Sequence, residues 1–101
     1  MTTKPRYSET LRKVAPIIAE MPRGILILRE LALFERNSDS PEMSVACVLY
    51  WIGANYHDGQ FSAWYRVLCV TGFEPGPIGH EPDPETEEGY LYETIVSILG
   101  T

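Results

Sequence analysis

The feature that most constrains this sequence is a run of fourteen residues, Met43 to Tyr56, that contains no charged side chain. It follows Ser40, which suits an N-cap, Pro41, which suits the first helical position, and Glu42, which suits the positive end of a helix dipole. At fourteen residues the run is shorter than the roughly 20 needed to cross a bilayer. A helix that is apolar nearly all round must be surrounded by other elements or by a second subunit, so we predict a buried central helix here.

Pro, Gly, Asn and Ser divide the rest of the 101-residue chain into segments that mostly carry a helical period. One domain is expected, since domains typically span roughly 100 to 150 residues, and 45% hydrophobic with 22% charged residues is typical of chains that fold. We therefore predict an all-α fold, a compact single-domain bundle of about five helices over 1–101 with an apolar central helix. Residues 1–7 are predicted to form a flexible N-terminal arm, and 73–83 an extended Pro/Gly-rich loop before the last helix.

Two helices are predicted before the central one. Pro16 predicts a kink or break in the first near 14–15, because proline removes a backbone donor and clashes with the preceding turn. Pro22 is expected to begin the second, which ends near Arg36. A short buried strand over 25–28 stays open as an alternative, because four successive apolar residues fit either element. The predicted core faces are Leu11, Val14, Ala15 and Ile18 in the first helix and Ile25, Leu28, Leu31 and Ala32 in the second.

Two further helices are predicted after the central one. A turn at 57–59 is short enough to make the third and fourth helices an antiparallel hairpin, and Gly53 predicts a close approach between them. The fourth helix ends at Gly72, and the fifth begins at Asp83-Pro84, which repeats the signal of a cap followed by proline. The predicted core faces are Phe61, Trp64, Tyr65 and Leu68 in the fourth helix and Leu91, Ile95, Ile98 and Leu99 in the fifth.

No residue pattern indicates an enzyme. Histidine lies beside carboxylates only at His57-Asp58 and His80-Glu81, and neither place has the spacing of a metal site. No serine or cysteine has a neighbouring base or a nucleophile-elbow motif. We predict no catalytic residue, no metal site and no cofactor.

The two cysteines, Cys47 and Cys69, are too few for a disulfide framework or a four-ligand zinc site. They stand eleven residues before and after Asp58, so the hairpin places them at a similar height, and contact between them stays open. The simplest interpretation is two buried, reduced thiols. No apolar run follows Lys4 and Arg6, so no signal peptide is expected and a cytoplasmic location is predicted.

Charge is distributed unevenly along the chain. The net charge is −6, which argues against a protein that coats nucleic acid, but the segment through Arg36 carries seven basic and four acidic residues. From Phe73 onward there are seven acidic residues and no basic one. Part of this excess suits a solvated helix N-terminus. The alternative is a rigid acidic face that meets a basic partner, and its predicted residues are Glu74, Glu81, Asp83, Glu85, Glu87 and Glu88.

Aromatic side chains concentrate in the predicted central hairpin. Such a cluster is usually part of the core, but Trp and Tyr also anchor protein interfaces. The candidate interface aromatics are Tyr50, Trp51, Tyr56 and Trp64.

The first functional hypothesis is a small non-catalytic module whose acidic face binds a protein with a basic groove, such as a nuclease or another nucleic-acid-binding protein. In effect its carboxylates mimic phosphates. Phage inhibitors of host defence and immunity proteins for toxins belong to this functional class, an analogy that rests on size and charge alone.

Two alternatives come from other parts of the chain. Lys4, Arg6, Arg12 and Lys13 suggest contact with nucleic-acid phosphates through the basic N-terminal third, although the apolar third helix is unsuited to reading bases. The charge-free helix suggests a homodimer or other self-assembly that hides apolar surface left uncovered by five short helices, with Tyr50 and Trp51 at the seam.

Overall fold

The computed structural model describes residues 9–38, 41–73 and 81–100, with the side chains of 41–43 excepted. These ranges contain five helices and no strand, which confirms the all-α prediction and shows that the alternative of a strand at 25–28 is wrong. The predicted arm at 1–7 and the greater part of the predicted loop, 74–80, lie outside the described residues. The helices are α1 Glu9–Ala19, α2 Gly24–Asn37, α3 Pro41–Tyr56, α4 Ala63–Thr71 and α5 Glu87–Gly100.

The charge-free helix α3 is central, as predicted. It packs against each of the other four helices, and it begins at the predicted Pro41. Four of its aliphatic side chains have no exposed surface, and each contributes about 1.5–3 kcal/mol through burial. They are Val45, Val48, Leu49 and Ile52.

The α3–α4 hairpin is closed by a glycine contact and by capped ends. A Cβ added to Gly53 would lie 2.9 Å from the Cβ of Leu68 and 3.0 Å from the carbonyl oxygen of Trp64, so the predicted close approach is confirmed. Ser62 caps α4 by accepting a hydrogen bond from the backbone N–H of Tyr65 at 3.0 Å. Gly72 ends the helix with a φ of 66°, a left-handed conformation that glycine adopts without strain.

Of the kink or break predicted in α1, the break is wrong. Pro16 lies inside the uninterrupted helix Glu9–Ala19, and its ring is exposed. Although Pro16 donates no hydrogen bond to the preceding turn, the helix continues, because its buried face stabilises it through tertiary packing.

The predicted start of α2 at Pro22 is also wrong, because the chain first reverses direction. Arg23 adopts a left-handed conformation with a φ of 60°, and the helix begins at Gly24. A Cβ on Gly24 would lie only 1.8 Å from the carbonyl oxygen of Ile18, so the close contact between the end of α1 and the start of α2 requires glycine. The helix ends at Asn37, as expected.

Two predicted core residues are exposed instead. Ile25 is 67% exposed, because the core face of α2 runs through Ile27 and Leu31, which have no exposed surface. Phe61 is 90% exposed and precedes α4, whose fully buried residue is Val67. In both cases the apolar residues admit more than one helical face, and the packing partner selects between them.

Candidate partner-binding surface

The acidic residues predicted to bind a partner occupy three different environments. Asp83, Glu85 and Glu87 are exposed. Glu81 is also exposed but is held by hydrogen bonds, and Glu88 is half-buried. Glu74 lies outside the described residues.

Residues 83–87 form a turn that precedes and enters α5, which we call the acidic turn. Asp83 accepts a hydrogen bond through Oδ1 from the backbone N–H of Glu85 at 2.9 Å. Thr86 donates to the Asp83 carbonyl oxygen twice, from its backbone N–H at 2.9 Å and from Oγ1 at 2.7 Å. Because Thr86 Oγ1 also accepts from the backbone N–H of Gly89 at 3.0 Å, Thr86 caps α5, and the prediction that Asp83 does so is wrong.

Gly89 allows the acidic turn to lie directly on the first turn of α5. A Cβ at Gly89 would stand 1.8 Å from the carbonyl oxygen of Asp83 and 2.7 Å from the Cα of Pro84. The backbone of the turn therefore occupies the space that any other residue's side chain would fill. Its carboxylates project from a backbone whose position is set by hydrogen bonds and by this contact.

The three carboxylates of the acidic turn, those of Asp83, Glu85 and Glu87, are exposed. Within the described ranges, no basic side chain forms an ion pair with Asp83, Glu85 or Glu87. Helix α5 packs against α2 and α3, whereas Arg12 and Lys13 are exposed on α1. The positive end of the α5 dipole supports the carboxylates without neutralising them.

Glu81 lies just before the acidic turn and is hydrogen-bonded to side chains of both α3 and α5. Asn55 donates through Nδ2 to Glu81 Oε2 and, at 3.0 Å, to the hydroxyl of Tyr92. The Tyr92 hydroxyl donates to the same Glu81 oxygen at 3.0 Å. Burial, together with this carboxylate, raises the pKa of Tyr92, so the hydroxyl remains a donor across the physiological range.

Glu88 faces the interior side of α5 and lies next to Cys47 of α3. Burial, and then the neighbouring carboxylate, raises the pKa of Cys47 to about 11. Cys69 instead is exposed and hydrogen-bonds with Tyr65 on its own helix, which raises the pKa of Tyr65. The two cysteines are free and have different neighbours. Cys47 is half-buried and Cys69 is exposed, so the interpretation of both as buried thiols is wrong.

A groove runs between α2 and α5, which pack antiparallel, and it was not anticipated from the sequence. The end of α2 lies beside the start of α5, so that Leu33 and Asn37 face Glu87 and Tyr90. Further along, Leu26 of α2 lies across from the second half of α5. We call this the α2–α5 groove, and its principal lining residues are Leu26, Glu30, Leu33, Glu87, Tyr90 and Thr94.

The candidate interface aromatics have different immediate surroundings. Tyr50 packs edge to face on Trp51, with ring centroids 5.3 Å apart, and also contacts Phe73 at 5.6 Å. Tyr56 lies beside the Glu81 cluster, and Trp64 is half-buried against the core. The indole Nε1 of Trp51 is buried and has no acceptor in the part of the chain that is described.

The structure offers little support for other kinds of site. Over 9–38, 41–73 and 81–100, His, Cys, Asp and Glu side chains nowhere form a group of three or more suited to a metal ion. His57 accepts a hydrogen bond through Nδ1 from the backbone N–H of Gly59 at 3.3 Å and packs on Tyr65, whereas His80 lies outside these ranges. Among the same residues, no helix is long and apolar enough to span a membrane.

Comparisons with known proteins give no independent indication of function. No protein-family model matches the chain, and neither the curated proteins nor the solved structures contain a significant match. A functional assignment therefore depends on the surface chemistry described above.

Proposed function

We propose that this chain is a small non-catalytic protein-binding module whose acidic turn engages a basic surface of a partner. A nuclease or another nucleic-acid-binding protein has the required chemistry, because the groove that binds phosphates also attracts carboxylates. On this proposal the chain inhibits its partner by occupying the place of nucleic acid. The supporting observation is the set of exposed carboxylates on a backbone whose position is fixed by its own hydrogen bonds.

The rigidity of the acidic turn matters for binding as well as its charge. A flexible acidic tail loses conformational entropy when it is ordered on a partner, whereas a preformed turn loses little. The hydrogen-bonded backbone also sets where the side chains of Asp83, Glu85 and Glu87 begin, which favours a partner with basic groups at matching positions.

Neither of the two alternative functions is supported by a comparable structural feature. Arg12 and Lys13 are exposed on α1, but Lys4 and Arg6, the other half of the proposed phosphate-binding set, lie outside the described residues. A dimer was expected because α3 was predicted to be incompletely covered. Four of its aliphatic residues have no exposed surface, namely Val45, Val48, Leu49 and Ile52, and Tyr50 and Trp51 are half-buried.

In the test, the chain is immobilised, partner proteins are captured on it, and the bound proteins are washed at graded salt. The association rate is then measured for each protein that is retained. The variant D83N/E85Q/E87Q removes the charges of the acidic turn, and E9Q/E20Q/D58N removes the same total charge elsewhere. We expect retained proteins to be basic and the first variant to slow association roughly tenfold at low salt, with a much smaller effect of the control. Equal rates for the two variants would refute the proposal.

A further inference from the structure

The α2–α5 groove displays apolar side chains that the fold does not require. Leu26 is 41% exposed, Leu33 is 44% exposed and Tyr90 is 74% exposed, and all three line the same groove. Single exposed apolar residues are ordinary, but several along one groove are typical of a binding surface. Tyr is also among the residues that most often anchor protein interfaces.

The groove is acidic and joins the acidic turn. Its lining includes the carboxylates of Glu30, Glu87 and Glu93 and one basic residue, Arg29. Glu87 belongs to both features, so the carboxylates form one continuous surface from the turn into the groove. A ligand that fills this groove therefore has to combine apolar anchors with positive charge.

This charge pattern disfavours a second copy of the chain as the occupant. A two-fold axis through Tyr90 would place the carboxylates that line the groove of one copy close to those of the other copy. Like charges brought together in this way destabilise the contact. Nucleic acid is disfavoured for the same reason, because its phosphates would meet these carboxylates.

We propose that the α2–α5 groove binds a basic amphipathic helix of the partner protein. Two antiparallel helices with an open groove between them accept a third helix by the packing that operates in helix bundles. The α2 wall from Leu26 to Asn37 spans roughly 18 Å at 1.5 Å per residue, which matches a partner helix of about 12–15 residues. The partner's aliphatic or aromatic residues at helical spacing would contact Leu33 and Tyr90, and its flanking Lys and Arg would face the carboxylates.

The inference rests on the proposed function and is tested with a displayed library of random peptides of about 16 residues, long enough to cover the groove. We expect selection on the folded chain to enrich peptides with excess Lys and Arg and with apolar residues three or four positions apart. Enrichment of acidic peptides, or no enrichment, would overturn the inference, whereas the proposed function is decided separately by the association rates of D83N/E85Q/E87Q and its control.

Variants in the groove then separate the two proposals. Tyr90→Ala should weaken binding of an enriched peptide by about fivefold or more, whereas Phe61→Ala, which removes an even more exposed aromatic side chain outside the groove, should change it little. Leu33→Ser and the matched Ile25→Ser on the same helix form a second pair, with only Leu33→Ser reducing affinity. Because these side chains are exposed, circular dichroism should show unchanged folding in all four variants.

Failure of the groove is distinguishable from failure of the acidic turn. Basic peptides that bind Tyr90→Ala and Leu33→Ser normally but lose affinity for D83N/E85Q/E87Q would refute the groove and leave the proposed function standing. Loss of affinity in Tyr90→Ala and Leu33→Ser, with Phe61→Ala and Ile25→Ser unaffected, would support the groove.

Discussion

The two sides of the central helix use apolar residues in opposite ways. On the α4 side, Gly53 brings the helices into close contact and Val67 is fully buried, so the hairpin is closed. On the α5 side, α2 and α5 leave a groove in which Leu33 and Tyr90 remain exposed beside carboxylates. The closed side stabilises the fold, whereas the open side displays chemistry that folding does not explain.

This difference shows why exposed apolar residues on one small domain do not all have the same meaning. Phe61 is more exposed than Leu26, Leu33 or Tyr90, yet it stands on the connection between α3 and α4 and lines none of the surfaces described here. Leu26, Leu33 and Tyr90 share a concave surface with acidic neighbours. Shape and charge together, rather than exposure alone, indicate a binding surface.

The largest expected effect separates the buried and the displayed apolar residues. Ile52→Ala should destabilise the protein by about 2–5 kcal/mol, because it leaves a cavity in the fully buried centre. Leu33→Ala should change stability by only about 1 kcal/mol or less, because 44% of the residue's surface is already exposed. Urea unfolding measures both, and similar losses for the two variants would remove the distinction between the sides.

The second-largest expected change in stability comes from adding a methyl group at Gly53, on the closed side of α3. Gly53→Ala should cost about 1–3 kcal/mol from overpacking against Leu68, reduced by the better helix propensity of alanine. Gly100→Ala is the control, because no atom lies within 4 Å of the added Cβ. If thermal unfolding shows Gly53→Ala to be as stable as Gly100→Ala, the hairpin is less closely packed than described.

A smaller effect concerns the cap that fixes the acidic turn. Thr86→Ala removes the hydroxyl bonded to Asp83 and Gly89 and should destabilise by about 1 kcal/mol, with faster amide exchange at Gly89. Thr86→Ser keeps the hydroxyl and should retain most of the stability. Equal losses in the serine and alanine variants would show that the hydroxyl does not hold the turn.

The smallest effect is alkaline destabilisation at the contact between α3 and α5. The pKa of Cys47 is raised from 9.0 to about 11 in the folded chain, so folding favours the neutral thiol. Its contribution is present below pH 9 and is lost as pH rises towards about 11, and the loss should be under about 1 kcal/mol because the side chain is only partly buried. Urea midpoints at pH 8 and about 10.5 should differ less in Cys47→Ala than in the wild type. An identical difference would contradict the assignment.

Local signals predicted the fold well where one signal dominates. The charge-free run and Pro41 placed α3, and Gly53 and Gly72 marked a close contact and a helix end. Prediction failed where two local signals compete. Pro22 predicted the start of α2, but the chain turns there with Arg23 in a left-handed conformation, and the helix begins only at Gly24. Pro16 predicted an interruption of α1, but the helix tolerates this proline because its ring is exposed.

The candidate site was only half visible in the sequence. The acidic residues near α5 stood out by charge, but the sequence did not show that Glu81 and Glu88 are engaged by Tyr92 and Cys47. The groove was missed because it depends on how α2 and α5 are rotated against each other, which no local pattern fixes. The available signal was an apolar arc on α2 that is wider than one core face requires, since it includes Leu26 and Leu33.

The most direct test of the account is a titration of the isotopically labelled chain with an enriched basic peptide, followed by backbone amide NMR shifts. The account predicts that the largest shifts fall in 26–37 of α2 and in 83–97, with α4 unaffected. Shifts centred on α1 or α4, or spread evenly over the chain, would contradict the claim that the open acidic side of the molecule is its recognition surface.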